Sequence, residues 1–181
     1  YKFAPRLARS RVERISAQVG RTGAVTPVAH LAPTELVGVT VRNASLYNWA
    51  LLAERDVREG DAVEIQRAGD VIPEVVRVFV DERGPDSQPT AAPTACPACD
   101  GPLQLEGKFL YCSNLDCPAQ LVGRIVHLAS RRAFDIEGLG EKQLTAFHER
   151  GWISQPADIF RLARDAEKLD ALRAEVRAGM Q

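Results

Sequence analysis

The sequence has no long apolar segment and no excess of charge of either sign. Its 181 residues include 24 acidic and 23 basic side chains, so the formal net charge is −1, and affinity for nucleic acid or an anionic membrane would have to come from local patches. No apolar stretch approaches the roughly 20 residues that cross a bilayer, and the first residues do not form a secretory signal. We therefore expect a cytoplasmic protein with no membrane partner.

Aromatic residues and methionine are also scarce. Phe, Trp and Tyr make up 6% of the chain, and the one methionine is Met180. Because the first residue is Tyr1, we expect a piece of a longer protein or a processed product. The residues present, 45% hydrophobic and 26% charged with 13 glycines and 11 prolines, are typical of a globular chain of one or several small domains.

Short β-branched runs separated by turn residues dominate residues 11–80. Apolar and polar residues alternate with period two within these runs, and Gly and Asp residues form the turns between them. This pattern predicts a small antiparallel β-barrel. One short helix is predicted within residues 44–55, where Leu46, Trp49 and Ala53 recur at helical spacing. The predicted strand runs are 14–19, 36–41, 62–65 and 75–80.

The composition changes after the barrel. Residues 81–94 contain three prolines and almost no large apolar side chain, and are predicted to be a linker or a long loop. All four cysteines follow, and from residue 120 onward the apolar spacing becomes helical. Helices are predicted from Glu141 to about Arg150 and from Pro156 to about Arg177. The fold class is thus a multidomain β + α chain: a barrel, a cysteine module and a helical module.

The cysteines have the spacing of a zinc site. Two intervening residues let a pair of thiolates face one cation, and a second turn completes a tetrahedral set; four protein ligands leave no open position, so the zinc would be structural. Two disulfides would need an oxidising compartment, and a redox pair would leave two cysteines unexplained; both stay as alternatives. The candidate ligands are Cys96, Cys99, Cys112 and Cys117.

A Gly-x-Gly turn separates two helical patterns. Gly138 and Gly140 flank one apolar residue, and such a turn can direct backbone N–H groups at a phosphate beside the N-terminus of the next helix. An ordinary glycine turn is the alternative, but the flanking apolar residues favour a helix-hairpin-helix motif that contacts the DNA backbone. Cations near it in the chain are Arg124, Arg131, Arg132 and Lys142.

Basic residues are concentrated before residue 34, where six lysines and arginines accompany one acidic residue. This balance suits contact with phosphates; a solvated charged face is the alternative. Arg21 stands in a glycine-flanked turn and Arg67 directly precedes another. Val71 and Ile72 follow the second turn and could contact sugar edges, unless both are core residues.

Taken in order, these motifs closely resemble bacterial NAD-dependent DNA ligase over nearly the whole chain. The resemblance implies the end of an adenylation domain at 1–10, an OB-fold at 11–80, a linker at 81–94, a four-cysteine zinc finger at 95–119 and part of a helix-hairpin-helix domain at 120–181. The matching segments are Tyr1-Lys2-Phe3, Gln18 to Ala29, Arg67 to Pro73, the four cysteines and Asp135 to Lys142.

The reaction implied by the resemblance seals nicks in duplex DNA during replication and repair. A lysine attacks NAD and releases nicotinamide mononucleotide, AMP passes to the 5′-phosphate of the nick, and the 3′-hydroxyl displaces AMP in the presence of Mg²⁺. By the same resemblance, Lys2 is catalytic and touches the nucleotide phosphate. The implied DNA-binding residues of the barrel are Arg21, Arg67, Val71 and Ile72.

The chain departs from the family pattern in several places. None of its lysines stands in the Lys-x-Asp-Gly sequence of the family's nucleophile, so this chain alone is predicted to be inactive in self-adenylation and to need a missing adenylation domain as its partner. Residues 4–10 are richer in arginine than the family pattern, and the segment from Asn43 to Asn48 replaces a Thr and a His. The hairpin occurs in one convincing copy.

Two further hypotheses compete with a monomeric, DNA-clamping portion of such a ligase. One is a non-catalytic zinc-ribbon and OB-fold protein that binds single-stranded nucleic acid; the other is an interaction scaffold that retains ligase modules. The low aromatic content argues against the first, because strand-binding barrels need exposed aromatic side chains for base stacking. The candidates for stacking are Phe3, Tyr47, Trp49 and Phe79.

Overall fold

The computed structural model describes residues 6–67 and 72–179. The chain divides into two compact units, Tyr1–Asn114 and Leu115–Gln181. The elements in chain order are β1 (Arg6–Val19), β2 (Ala24–Leu36), β3 (Val39–Ser45), α1 (Trp49–Arg55), β4 (Ala62–Arg67), β5 (Glu74–Val78), a 3-10 turn (Val80–Glu82), β6 (Leu103–Glu106), β7 (Phe109–Cys112), α2 (Pro118–Ala129), α3 (Glu141–Glu149), α4 (Asp158–Leu162) and α5 (Ala166–Gly179).

Within these ranges, no helix combines the length and the apolar character that crossing a membrane would require.

Strands β1 to β5 close into a barrel. The two halves of β1 pair with β2 and β4, and β2–β3 and β4–β5 are also antiparallel. The ring closes where Ser45 of β3 pairs with Glu74 of β5 in a parallel sense. This contact departs from the purely antiparallel barrel that the sequence predicts. A parallel pairing needs a crossover connection, and the segment with α1 and β4 provides it.

Strand β2 is the main departure from the predicted strand pattern. The run 36–41, predicted as one strand, contains the β2–β3 turn, where Val37 and Gly38 have φ angles of 57° and 72°. Residues 24–36 form a strand that the sequence did not predict. The reason is that two of its residues are prolines and the core-facing positions at its start include Pro27 and Ala29, which obscure the period-two signal.

The barrel core combines alternate strand residues with α1. This helix begins after Asn48, whose side chain accepts the Leu51 N–H at 2.8 Å, and not at residue 44 as predicted, because residues 39–45 continue as β3. Trp49 packs inward and its indole N–H donates to the Val25 carbonyl at 2.9 Å. The buried cluster comprises Val12, Ala29, Leu31, Leu36, Val41, Ala44, Leu46, Trp49, Leu52, Val57, Val63, Ile65 and Val75.

The predicted linker begins against the barrel. The Arg83 side chain is 10% exposed and lies 2.9 Å from Asp61 and 2.6 Å from Asp56. Arg58 donates to the Ser87 carbonyl at 2.8 Å. Residues 83–87 are therefore tied to the barrel.

The barrel also includes residues before its predicted start at residue 11. Strand β1 starts at Arg6, and residues 6–10 pair with β4 in the same sheet.

The second unit is helical. Its α3 agrees with the helix predicted from Glu141, whereas the predicted segment from Pro156 to Arg177 is divided into α4 and α5. The break occurs because Asp165 accepts the Lys168 N–H at 3.2 Å and so starts a new helix. The buried cluster comprises Leu121, Val122, Ile125, Leu144, Phe147, Ile153 and Ile159.

Candidate metal centre and nucleic-acid interface

The four cysteines form one cluster. Their Sγ atoms all lie within 4.8 Å of one another, and none is in a disulfide. The Cys99 and Cys112 sulfurs are 3.6 Å apart, close to the separation of about 3.8 Å that a tetrahedral zinc with Zn–S bonds of about 2.3 Å imposes. The donor set and its spacing therefore fit a metal ion held by four thiolates.

Tight turns position the first two ligands. The Cys96 N–H donates to the Gly101 carbonyl at 2.9 Å, and a Cβ at Gly101 would lie 3.1 Å from the Cys99 sulfur, so a side chain there would crowd the ligand. Hydrogen bonds from the Asn114 side chain and then from the Gly101 backbone lower the pKa of Cys99 to about 7. The lower pKa favours the thiolate, which is the metal-binding form.

The hairpin β6–β7 extends the barrel sheet. The two central residues of β7, Leu110 and Tyr111, pair with the first two of β2, and the Cys112 N–H donates to the Gly23 carbonyl at 2.8 Å. Gly23 belongs to the β1–β2 turn, residues 20–23, which carries Arg21. The backbone of Cys112, a candidate ligand, thus holds the turn that carries Arg21.

The barrel residues predicted to bind DNA belong to two connections, β1–β2 and β4–β5. These are the connections that bind oligonucleotides in OB-folds. Arg21 is exposed and forms no ion pair with a carboxylate in the described ranges. Arg67 ends β4 directly opposite Arg6 of β1. Ile72 is 71% exposed, so it is not a core residue.

Two predicted site residues, Lys2 and Val71, lie outside the described residues. Their roles stay predictions.

Gly138 and Gly140 lie in the connection between α2 and α3. Gly138 has a φ of 77°, which only glycine adopts freely, while Gly140 is extended and precedes α3. The apolar neighbours Ile136 and Leu139 pack against the helical core. The connection is thereby anchored by its apolar residues, and both glycines are exposed.

The charges near this connection are mixed. Arg131 lines a groove of about 490 Å³ beside Gly138, as do the acidic residues Asp135 and Glu137. Arg124, expected to be near the hairpin, instead donates to the Leu115 carbonyl at 2.6 Å. It lies near the middle of α2, whereas the hairpin follows the end of that helix.

The aromatic side chains do not form a stacking platform on the described part of the barrel. Trp49 is buried, and the Phe79 ring lies under the guanidinium groups of Arg9 and Arg77. Phe3 falls outside the described residues. Of the candidate stacking residues within the described ranges, Tyr47 is the exposed one, with a relative accessible surface of 44%.

A closed five-stranded barrel, with a four-cysteine module joined to the start of β2 through β7, defines an OB-fold protein with a candidate metal centre. Residues 9–87 match the family described as the NAD-dependent DNA ligase OB-fold domain.

Several curated relatives named DNA ligase are similar to nearly the whole chain. The DNA ligase of Caulobacter vibrioides (strain NA1000 / CB15N) is 52% identical over 185 residues, which cover 95% of this chain and 23% of the relative. Those of Phenylobacterium zucineum (strain HLK1) and Rhodopseudomonas palustris (strain BisA53) are 51% and 50% identical, over 98% and 90% of this chain and 27% and 25% of the relative. The chain therefore belongs to the bacterial NAD-dependent DNA ligase family. It spans about a quarter of the length of these relatives.

Proposed function

We propose that this chain is the DNA-binding portion of an NAD-dependent DNA ligase that seals nicks in duplex DNA. We expect it to act as a monomer in the bacterial cytoplasm, where bacterial DNA lies. The observation that carries the proposal is the arrangement of the two loop connections of the barrel. Strand β3 lies between β2 and β5, because its residue Ser45 pairs with Val28 of β2 on one side and with Glu74 of β5 on the other. Strands β2 and β3 therefore separate the β1–β2 turn from the β4–β5 connection.

In this proposal the barrel holds the DNA backbone. Arg21 and Arg67 bind phosphates, while Val71 and Ile72 contact sugar edges near the nick. The exposure of Arg21 and Ile72 supports these roles, because a residue that binds a duplex must be accessible to it. Contacts of this kind position DNA without reading its sequence, and they would keep the two ends of the nick in line for displacement.

The connection between α2 and α3 is proposed to be a second backbone contact. A left-handed Gly138 two residues before an extended Gly140 would leave main-chain N–H groups accessible at the start of α3, where a phosphate is favoured by the helix dipole. Arg131 in the adjoining groove would add an attractive charge. The negative charges of the nearby Asp135 and Glu137 would repel other phosphates, so the contact would be restricted to the edge of the duplex backbone.

The remaining chemistry is proposed to require the rest of the enzyme. Lys2 would contact the nucleotide phosphate and stabilise its developing negative charge. Because the chain has no Lys-x-Asp-Gly sequence, it would need a separate adenylation domain, to which NAD supplies the adenylyl group with Mg²⁺ present. The four-cysteine cluster would hold a structural Zn²⁺, since four protein ligands leave no position for substrate.

The decisive experiment compares the affinity of the chain for a nicked duplex, an intact duplex and a single strand at one moderate salt concentration. We expect a preference for duplex DNA. A clear preference for single strands would overturn the proposal and favour a strand-binding OB-fold protein.

Two arginine variants sharpen this comparison. Removing a phosphate contact should weaken duplex binding uniformly across sequences and lower the salt slope by about one, which we expect for Arg21→Ala and Arg67→Ala. Arg173→Ala is the matched control, because Arg173 is exposed on α5 and pairs with Asp170 at 2.9 Å. An equal loss in all three variants would indicate that net charge alone drives binding.

A further inference from the structure

Tyr47 occupies a strained turn between β3 and α1. Its φ is 62°, and the Asn48 N–H donates to the Leu46 carbonyl at 2.8 Å. A hydrogen bond that spans one residue of positive φ is the pattern of a γ-turn of the rare, strained kind. Residues other than glycine are disfavoured in this backbone region.

The flanking residues hold this turn in place. Leu46 is buried in the barrel core and its N–H bonds to the Pro27 carbonyl at 3.3 Å. Asn48 is also buried and caps α1. Strained backbone persists where its surroundings over-determine it, and such positions concentrate at functional sites. The Tyr47 ring is therefore presented to solvent from a rigid base.

The turn lies beside the β4–β5 connection. The Ser45 N–H donates to the Pro73 carbonyl at 2.8 Å, and the Tyr47 N–H donates to the Ser45 hydroxyl at 3.2 Å. Ile72, the residue before Pro73, is a second large apolar side chain exposed in this part of the barrel. Backbone hydrogen bonds thus bring an exposed aromatic residue and an exposed aliphatic residue to the same edge.

We propose that Tyr47 is a DNA-binding residue whose ring packs against a deoxyribose of the strand that crosses the β4–β5 connection. This inference rests on the proposed duplex binding and adds a contact that carries no charge. An aromatic ring suits this task because sugars present the same apolar face in every sequence. Its rigid base would also reduce the backbone conformational entropy lost on binding.

The test uses a pair of glycine variants, Tyr47→Gly and Val37→Gly. Val37 is the matched control: its φ is 57°, it is 50% exposed, and it lies in the β2–β3 turn, at the other end of β3. Both variants remove backbone strain, so both should keep or raise the thermal stability of the chain. We expect only Tyr47→Gly to weaken nicked-duplex binding, by about tenfold, because the apolar contact of the ring is lost. The salt slope should be unchanged because no phosphate contact is lost. Tyr47→Phe should bind as the wild type does.

Several results would overturn the inference. These are wild-type affinity in Tyr47→Gly, an equal loss in Val37→Gly, or a loss in Tyr47→Phe, which would point to the hydroxyl group and not the ring. If the wild type binds duplex and Arg21→Ala weakens it while Tyr47→Gly does not, only the role of Tyr47 fails. If the wild-type chain does not bind duplex, the proposed function fails and this inference with it.

Discussion

At the scale of the residue, Asp158 is a strongly engaged carboxylate in the helical unit. One oxygen accepts the Ser154 N–H at 2.8 Å and the Gln155 N–H at 3.0 Å, and the other accepts from Arg161 at 2.8 Å. These bonds lower the pKa of Asp158 from 3.8 to about 2, and the hydrogen bond from the Ser154 backbone makes the largest contribution. The ionised side chain thus joins α4 to the segment before it.

This pKa predicts how the stability of the helical unit depends on pH. A lowered pKa means that the stabilisation is complete above the ordinary value near 4 and is lost as the pH falls through about 2. We expect Asp158→Asn to reduce the free energy of unfolding by about 2 kcal/mol at neutral pH and to flatten its decline between pH 4 and 2.

Hydrogen exchange of amides in residues 144–162 would measure the effect of Asp158→Asn. The control is Asp170→Asn, which removes an exposed ion pair on α5 that should contribute little. An acid decline of the same size in wild type and Asp158→Asn would contradict the prediction.

Gly138 offers a second prediction at this scale. Gly138→Ala and Gly151→Ala both place a side chain at a positive φ, 77° and 68°, with nothing within 4 Å of the new Cβ. Each should reduce stability by about 1 kcal/mol, as thermal unfolding would show. Only Gly138→Ala should weaken nicked-duplex binding, because Gly151 follows α3 at its opposite end. Equal affinity in the two variants would remove Gly138 from the DNA interface.

At the scale of the element, β7 connects the cysteine cluster to the barrel. Cys112 is a candidate ligand and also bonds through its N–H to Gly23 in the Arg21 turn. We expect about one zinc per chain and four thiols protected from titration. Removal of the metal by a chelator should expose the thiols and increase hydrogen exchange at residues 20–25.

The metal experiment has an internal reference. Amides of β4, which pairs with β1 and β5 and not with β7, should change much less than those of the β1–β2 turn. Well below one metal per chain, with all four thiols already titratable, would contradict the assignment of a structural site.

At the scale of the whole molecule, Arg83 ties the end of the OB-fold segment to the barrel. Its partner Asp61 is 1% exposed and also accepts the Arg58 N–H at 2.8 Å. The side-chain hydrogen bond to Asp61, with that to Asp56, raises the pKa of Arg83 further above its ordinary value. The arginine therefore stays charged and balances a buried carboxylate.

Removal of Arg83 should destabilise the barrel unit strongly. Arg83→Leu leaves the Asp61 carboxylate buried beside one remaining backbone donor, which should reduce the free energy of unfolding by about 3 kcal/mol. The double variant Arg83→Leu with Asp61→Leu should recover much of this loss, because neither charge is then buried alone. Denaturant unfolding followed by fluorescence in a Trp152→Phe background, where Trp49 is the one remaining tryptophan, would measure both. A double variant no more stable than Arg83→Leu would contradict the explanation.

The sequence predicted those parts of the molecule that neighbouring residues encode. The cysteine spacing predicted a cluster that the structure brings within metal-binding distance. The glycine-containing break before Glu141 located the start of α3, and the ordered motifs indicated the ligase family. Even β2 has alternating burial, but its prolines and alanines make weak contributions to a pattern that depends on large apolar residues.

Tertiary structure decided the contacts between distant segments. The pairing of Arg83 with Asp61, the bond from Cys112 to Gly23 and the closeness of Ser45 to Pro73 have no local sequence signal. The physical reason is that strand register and barrel closure depend on the joint packing of many side chains from separate strands. The residue types thus determined which chemistry is present, and barrel closure decided which residues share a surface.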